Sequence, residues 1–176
     1  LFAIATNRML RDTGWYAAND RKEPDLLGLL DLVALGTVCD VVPLIGLNRA
    51  FVSQGLKVMA KRQNPGLVAL ADVARVDSRL TEYHAGFLLG PRVNAGGRVG
   101  EAPMGARLLM TQDPDEAAEL AQRLDEWNTE RREIEAQVLD VAMAQAEEIA
   151  SDAALIVASG DGWHAGVIGI VAGRLK

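Results

Sequence analysis

Three stretches of this chain hold residue types from which a phosphate-handling site could be built. The first, DLVALGTVCD at 31–40, ends in Asp40, followed by Val41-Val42-Pro43. An ionised carboxylate in apolar company is costly unless it is paired or holds a cation. Asp40 is therefore a candidate metal ligand, with a helix-terminal cap as the equal alternative, and Asp31 reads as a helix-surface acid. The second stretch is GPRVNAGGR at 90–98. Gly90, Gly96 and Gly97 would free backbone N–H groups to face an anion, and Arg92 and Arg98 suit forked contact with phosphate oxygens. Asn94 would cap or hydrogen-bond a sugar or phosphate. Taken alone, a solvated flexible linker explains this stretch slightly better. The third is GWHAGVIGI at 162–170, read as a glycine turn entering a helix, where backbone N–H groups collect anions. His164 sits where its ring would meet a phosphate, against the competing reading of a structural histidine. His84 has no ligand partner at metal spacing and reads as structural.

The rest of the chain limits what these residues could do. Two-metal hydrolysis needs several carboxylate or histidine ligands around ions roughly 3.5–4 Å apart, and only Asp40 is placed for it. No nucleophile triad, zinc spacing or Walker loop is present. Arg123, Arg131 and Arg132 alternate with Asp125, Glu126, Glu130, Glu133 and Glu135 and read as a solvated, salt-bridged face. A net charge of −6 argues against a basic nucleic-acid coat but leaves room for a local cationic channel. A hydrophobic content of 49% provides for a buried core. The single cysteine, Cys39, excludes an internal disulfide and fits a reducing compartment. No run approaches the roughly 18 apolar residues of a membrane span.

The elements that must position these groups are mostly helical. Apolar spacing predicts a helix to about Asp12 ended by Gly14, and a buried apolar stretch over 25–42 interrupted at Gly36-Thr37 and closed by Pro43. It predicts a helix over 49–61 capped by Asn48, a turn at 64–66, and a short helix over 67–75. Thr81 opens another helix that runs into the glycine stretch, and 104–110 forms one more. The strongest start signal is Asp113-Pro114-Asp115-Glu116, an N-cap followed by proline and acids in the first turn. Leu120, Leu124, Trp127, Ile134, Val138 and Val141 then recur on one face. With no Gly or Pro before Ser151, this makes a helix of about 36 residues, roughly 54 Å long, which reads as a strut between two lobes. Residues 153–158, AALIVA, read as a short buried strand followed by a turn. One strand cannot make a sheet, so the expectation is a segment of a larger α/β protein.

In this order, DLVALGTVCDVVPL, GPRVNAGGR and GWHAGVIGIVAGRLK resemble successive motifs of the RecJ family, single-stranded-DNA-specific 5′→3′ exonucleases of the DHH phosphoesterase superfamily. The resemblance covers essentially the whole chain. It implies an α/β parent whose share here is mostly helical: the C-terminal part of a DHH domain at 1–112, a connecting helix at 113–151, and the start of a DHHA1 domain at 152–176. It also implies two divalent ions, Mn2+ or Mg2+, in the cleft between the domains, with most ligands before Leu1 and Asp40 matching the ligand position carried here. Arg92, Asn94 and Arg98 match a loop lining the cleft near substrate phosphates, and His164 with Gly166 matches the motif facing it. At Gly96 the family pattern leads one to expect alanine, with glycine only loosening the loop. The implied partners are single-stranded DNA, a helicase and a single-strand-binding protein, and the implied location is cytoplasmic. The implied activity, degradation of DNA to mononucleotides in repair and recombination, belongs to the parent; the isolated chain is expected to be inactive. A DHH phosphodiesterase for oligonucleotides or cyclic dinucleotides is the alternative, and a non-catalytic helical partner-binding module the second.

Overall fold

The computed structural model describes residues 1–149 and 153–175. Among the described residues there are nine α-helices and no strand. They are α1 (Phe2–Asp12), α2 (Trp15–Ala18), α3 (Leu30–Cys39), α4 (Gly46–Met59), α5 (Pro65–Val73), α6 (Gly90–Val99), α7 (Pro103–Met110), α8 (Pro114–Glu147) and α9 (Ala165–Arg174). A π-helical segment, His84–Leu89, runs directly into α6.

Helix α8 organises the molecule, and its start follows the sequence signal. The Asp113 carboxylate accepts from the Asp115 and Glu116 N–H groups at 2.9 and 3.4 Å, with Pro114 in the first turn. Its 34 residues span roughly 51 Å at 1.5 Å per residue. A hydrophobic cluster lies along each half. Leu120, Leu124 and Trp127 pack with Leu35, Leu70, Leu89 and Leu108. Further along, Val138 and Ala142 pack with Val167 and Val171 of α9. The inward phase passes through Ala142, while Val141 is exposed.

Several local expectations shift. The turn at 64–66 is the start of α5: Asn64 Oδ1 accepts from the Leu67 N–H at 3.0 Å and Pro65 is the first helical residue. Helix α4 begins at Gly46, two residues before Asn48, so Asn48 lies inside it and donates to the Pro43 carbonyl at 3.2 Å. Gly36-Thr37 does not interrupt α3, whose helix runs unbroken through both residues. Leu27, Leu29 and Val33, expected inside, are exposed. Asp31, expected on the surface, is only 5% exposed, because α3 turns Asp31, Ala34 and Leu35 inward together.

The strand expected at 153–158 does not form. A strand needs a neighbour to take its backbone N–H and C=O groups, and none lies among the described residues. The stretch is tied down past its end, where the Gln145 side chain of α8 donates to the Ser159 carbonyl at 2.7 Å and accepts from its N–H at 2.9 Å. Leu155 and Val157 remain exposed. The expected boundary at 151 and 152 lies outside the described residues.

Candidate phosphate-binding cleft

The glycine-rich stretch is a helix, not a loop: residues 90–99 form α6, with Pro91 in its first turn. Its glycines are there chiefly for close packing. A Cβ on Gly90 would lie 2.4 Å from Cys39 Sγ, and one on Gly96 2.7 Å from the Glu101 carbonyl oxygen. Gly96 therefore tightens a contact and does not loosen a loop. Gly97 alone has nothing within 4 Å.

A helix divides the candidate residues by phase. Asn94 and Arg98 are four apart and share a face, whereas Arg92 lies about 200° round from Asn94. Asn94 and Arg98 accordingly line one cleft of about 140 Å³, together with Cys39, Gly86, Gly90 and Arg131. Arg92 is not in it. Arg92 Nε donates to Asp125 of α8 at 2.7 Å and Nη1 to the Leu88 carbonyl at 2.7 Å, which fastens α6 to α8.

Arg98 reaches α9. Its Nη1 donates to the Gly166 carbonyl at 3.1 Å. A Cβ on Gly166 would fall 2.2 Å from the Arg98 carbonyl oxygen, so only glycine permits this crossing. His164 is the N-cap of α9, its Nδ1 accepting from the Gly166 N–H at 3.0 Å. A neutral ring that accepts at Nδ1 carries its proton on Nε2; His164 is exposed and is not among the residues that line the cleft. His84 plays a structural part, with Nδ1 accepting from the Thr81 N–H at 3.1 Å, as a residue at the third helical position does when it reaches back to the cap.

Asp40 ends α3 and is exposed, so its carboxylate stays hydrated and burial does not require a cation beside it. Its position has a different peculiarity. The Val41 N–H bonds to the Val38 carbonyl and the Val42 N–H to the Thr37 carbonyl, both at 3.1 Å, with Val41 at φ +53°. This is a Schellman ending with a β-branched residue at the left-handed position usually given to glycine. Cys39, the residue before Asp40, borders the cleft. Burial raises its thiol pKa, with the Asp40 charge adding to the effect, and the protonated sulfur lies 3.7 Å from the Ala85 carbonyl it donates to. Among the described residues no group of three or more His, Cys, Asp or Glu could hold a metal. Asp40 is one carboxylate, and the described residues do not fit a metal centre by themselves.

Sequence reasoning missed Arg131 and Glu135, which were read as solvated. Their side chains are 13% and 4% exposed. They pair with each other, and Arg174 Nη2 of α9 approaches Glu135 Oε1 at 2.7 Å. That approach lacks hydrogen-bond alignment, and the buried Arg131 Nε has no acceptor. Burial lowers the Arg131 guanidinium pKa; Glu135 opposes this, and repulsion from Arg98, Arg132 and Arg174 adds to it. The signal was phase: Leu124, Asn128, Arg131, Glu135, Val138 and Ala142 keep the three-and-four spacing of the buried stripe.

The sequence of the chain matches the single-stranded-DNA-specific exonuclease RecJ of Dickeya dadantii, 42% identical over 179 residues, covering 98% of this chain and 31% of that protein. The same enzyme of Escherichia coli is 40% identical with the same coverage. The chain is homologous to a portion of RecJ. It spans 31% of the length of these RecJ relatives. The fold agrees: RecJ of Thermus thermophilus in complex with Mn2+ superposes with a TM-score of 0.77 at 35% identity, over 91% of this chain and 24% of that one. A second RecJ structure bound to manganese gives 0.76 at 34%, over 91% and 40%. No family model matches the chain.

Proposed function

We propose that the chain is part of a metal-dependent exonuclease that degrades single-stranded DNA 5′→3′ to mononucleotides; its RecJ relatives are named as single-stranded-DNA-specific exonucleases. The observation that carries the reading is the cleft in which Asn94 and Arg98 of α6 meet the start of α9, with Asp40 one residue from its wall. Guanidinium and amide groups fixed on helices suit phosphate oxygens whose position must not drift. Arg98 and Asn94 hold the phosphate, and the Nε2–H of His164, at the N-terminus of α9 beside Gly166, donates to substrate where the strand passes α9. Gly166 keeps the two helices close enough for this, and Arg92 acts on the cleft through the placement of α6.

Asp40 serves as one ligand for Mn2+ or Mg2+, the others coming from elsewhere in an α/β parent. Residues 1–112 then belong to its DHH domain, 113–151 to the connecting helix and 152–176 to the start of the DHHA1 domain. Single-stranded DNA is the substrate, a helicase and a single-strand-binding protein are the partners, and the setting is cytoplasmic. No helix among the described residues is long and apolar enough to cross a membrane.

The test uses the full-length protein with Mn2+ and 5′-phosphorylated single strands, duplexes and dinucleotides. Preference for single strands, lost in Asp40→Ala and Arg98→Ala, is the expected result. Preference for dinucleotides would move the protein to the oligonucleotide phosphodiesterases, and unchanged activity in Asp40→Ala would remove the ligand assignment.

A further inference from the structure

We propose that Arg131, on the long helix, completes with Arg98 and Asn94 a binding site for one tetrahedral phosphate-type anion in the cleft between α6, α8 and α9. In the full protein that anion is a backbone phosphodiester. This last identification rests on the nuclease reading, while the anion site itself rests on geometry and charge.

The first ground is the lining. Three polar side chains face the cleft, Asn94, Arg98 and Arg131, and none of its lining residues is acidic. Its volume of about 140 Å³ is below the roughly 300–1,000 Å³ of sites for drug-sized ligands, so it suits a small polar group. The second ground is charge balance. Arg131 and Arg174 approach one buried carboxylate, Glu135, and Arg98 lies close enough to Arg131 to repel it. Glu135 pairs with Arg131 and Arg174, whereas Arg98 reaches only a neutral carbonyl and has no salt bridge among the described residues. Like charges close to a largely buried guanidinium such as Arg131, 13% exposed, are poorly screened, and an anion relieves that repulsion. The third ground is readiness. Arg131 is braced by Asn128 at 3.2 Å and by Glu135, three residues before and four after it on the same helix, and its Nε has no acceptor. A guanidinium has five N–H donors in a planar fork, so this bracing aims the group and leaves donors free.

The competing role for Arg131 is a purely structural brace, and salt dependence separates the two. Affinity for 5′-phosphorylated oligo-dT is measured by fluorescence anisotropy on the full-length protein in EDTA, across a KCl series. Stabilisation by inorganic phosphate is followed by thermal melting. Each phosphate contact on a single strand contributes about 0.7 to the slope of log K against log salt. Arg131→Gln is expected to weaken binding roughly 10-fold, to flatten the slope by about 0.7, and to lose the phosphate stabilisation. Arg131→Lys keeps the slope and weakens affinity. Arg123→Gln, on an exposed face of the same helix, changes neither. If Arg131→Gln fails to fold, Arg131→Gln/Glu135→Gln removes both charges of the pair and reads the same quantities. An unchanged slope in either folded variant overturns the proposal and leaves the nuclease reading standing. Phosphate stabilisation that depends on Arg131, in a protein that binds no oligo-dT, keeps the anion site and sinks the nuclease reading. Binding of neither probe by the wild type sinks both.

Discussion

The two halves of α8 are held by different forces. Its first half enters a broad apolar core in which Leu124 and Trp127 meet side chains from α3, α5, α6 and α7. Its second half carries a small cluster, Val138 and Ala142 against Val167 and Val171, and leans on polar contacts, Glu135 with Arg174 and Gln145 with Ser159, while Arg98 of α6 holds the Gly166 carbonyl of α9 beside it. Apolar area stabilises in proportion to what it removes from water, whereas a buried ion pair mainly penalises its own disruption. The first half is therefore the anchor, and the second is the part whose seating depends on a few specific groups. The candidate cleft lies where the two regimes meet.

The comparison would break first at the anchor. Trp127→Ala is expected to cost about 4 kcal/mol, seen in chemical denaturation as one loss of the whole core; a loss confined to α9 would refute the division. Glu135→Ala leaves Arg131 and Arg174 uncompensated at a cost of about 3 kcal/mol. Hydrogen exchange should then show α9 opening while α5, α6 and α7 stay protected, and uniform exchange would show that the ion pair supports both halves alike. Within α6, Gly96→Ala drives a Cβ toward the Glu101 carbonyl and should destabilise by about 1–2 kcal/mol. Gly97→Ala meets nothing and should stabilise by about 0.5–1 kcal/mol. Equal melting shifts in the two variants would return this stretch to the status of a loop.

The smallest effect lies in pH. Burial lifts the Asp31 carboxyl above the usual carboxylate range, partly offset by the Leu32 N–H. From about pH 3.9 up through its raised native value, the folded chain keeps a proton that the unfolded chain releases. Stability from this group therefore falls as pH rises through that window, and the loss persists at neutral pH. Asp31→Asn should raise the melting temperature at pH 7 and leave it unchanged below about pH 3.5. A gain that is equal at both pH values would mean that the charge is not the cause.

Much of this was legible in the chain itself. Asp113-Pro114 announced the start of α8 because capping is local chemistry, and the Leu120–Leu124–Trp127 spacing announced its buried face. Asn94 and Arg98 were legible as candidates by type. That they share a face while Arg92 does not could be seen only once the stretch was known to be helical. Glycines suggested a loop there, yet Gly90 and Gly96 answer to Cys39 and Glu101, partners distant in sequence or lying past the helix end. The AALIVA stretch has strand composition, but pairing is a property of two segments and one alone cannot express it. Asp31 and Glu135 were misplaced for one reason: charge was read as a mark of exposure, when helical phase had already put both on buried stripes.

The length of α8 also makes the cleft a matter of register. Because the rod is unbroken, Trp127 and Val138 are tied together in both distance and angle, with no loop between them to absorb an error. One residue inserted between Asn128 and Arg131 would advance everything beyond it by about 1.5 Å and turn it by about 100°. That turn would carry Arg131 away from Arg98 and swing Glu135 off Arg174, while leaving the composition of every contact surface unchanged. The crossing thus depends on count as well as on side chains, and its alignment is stored in the number of residues between two buried landmarks.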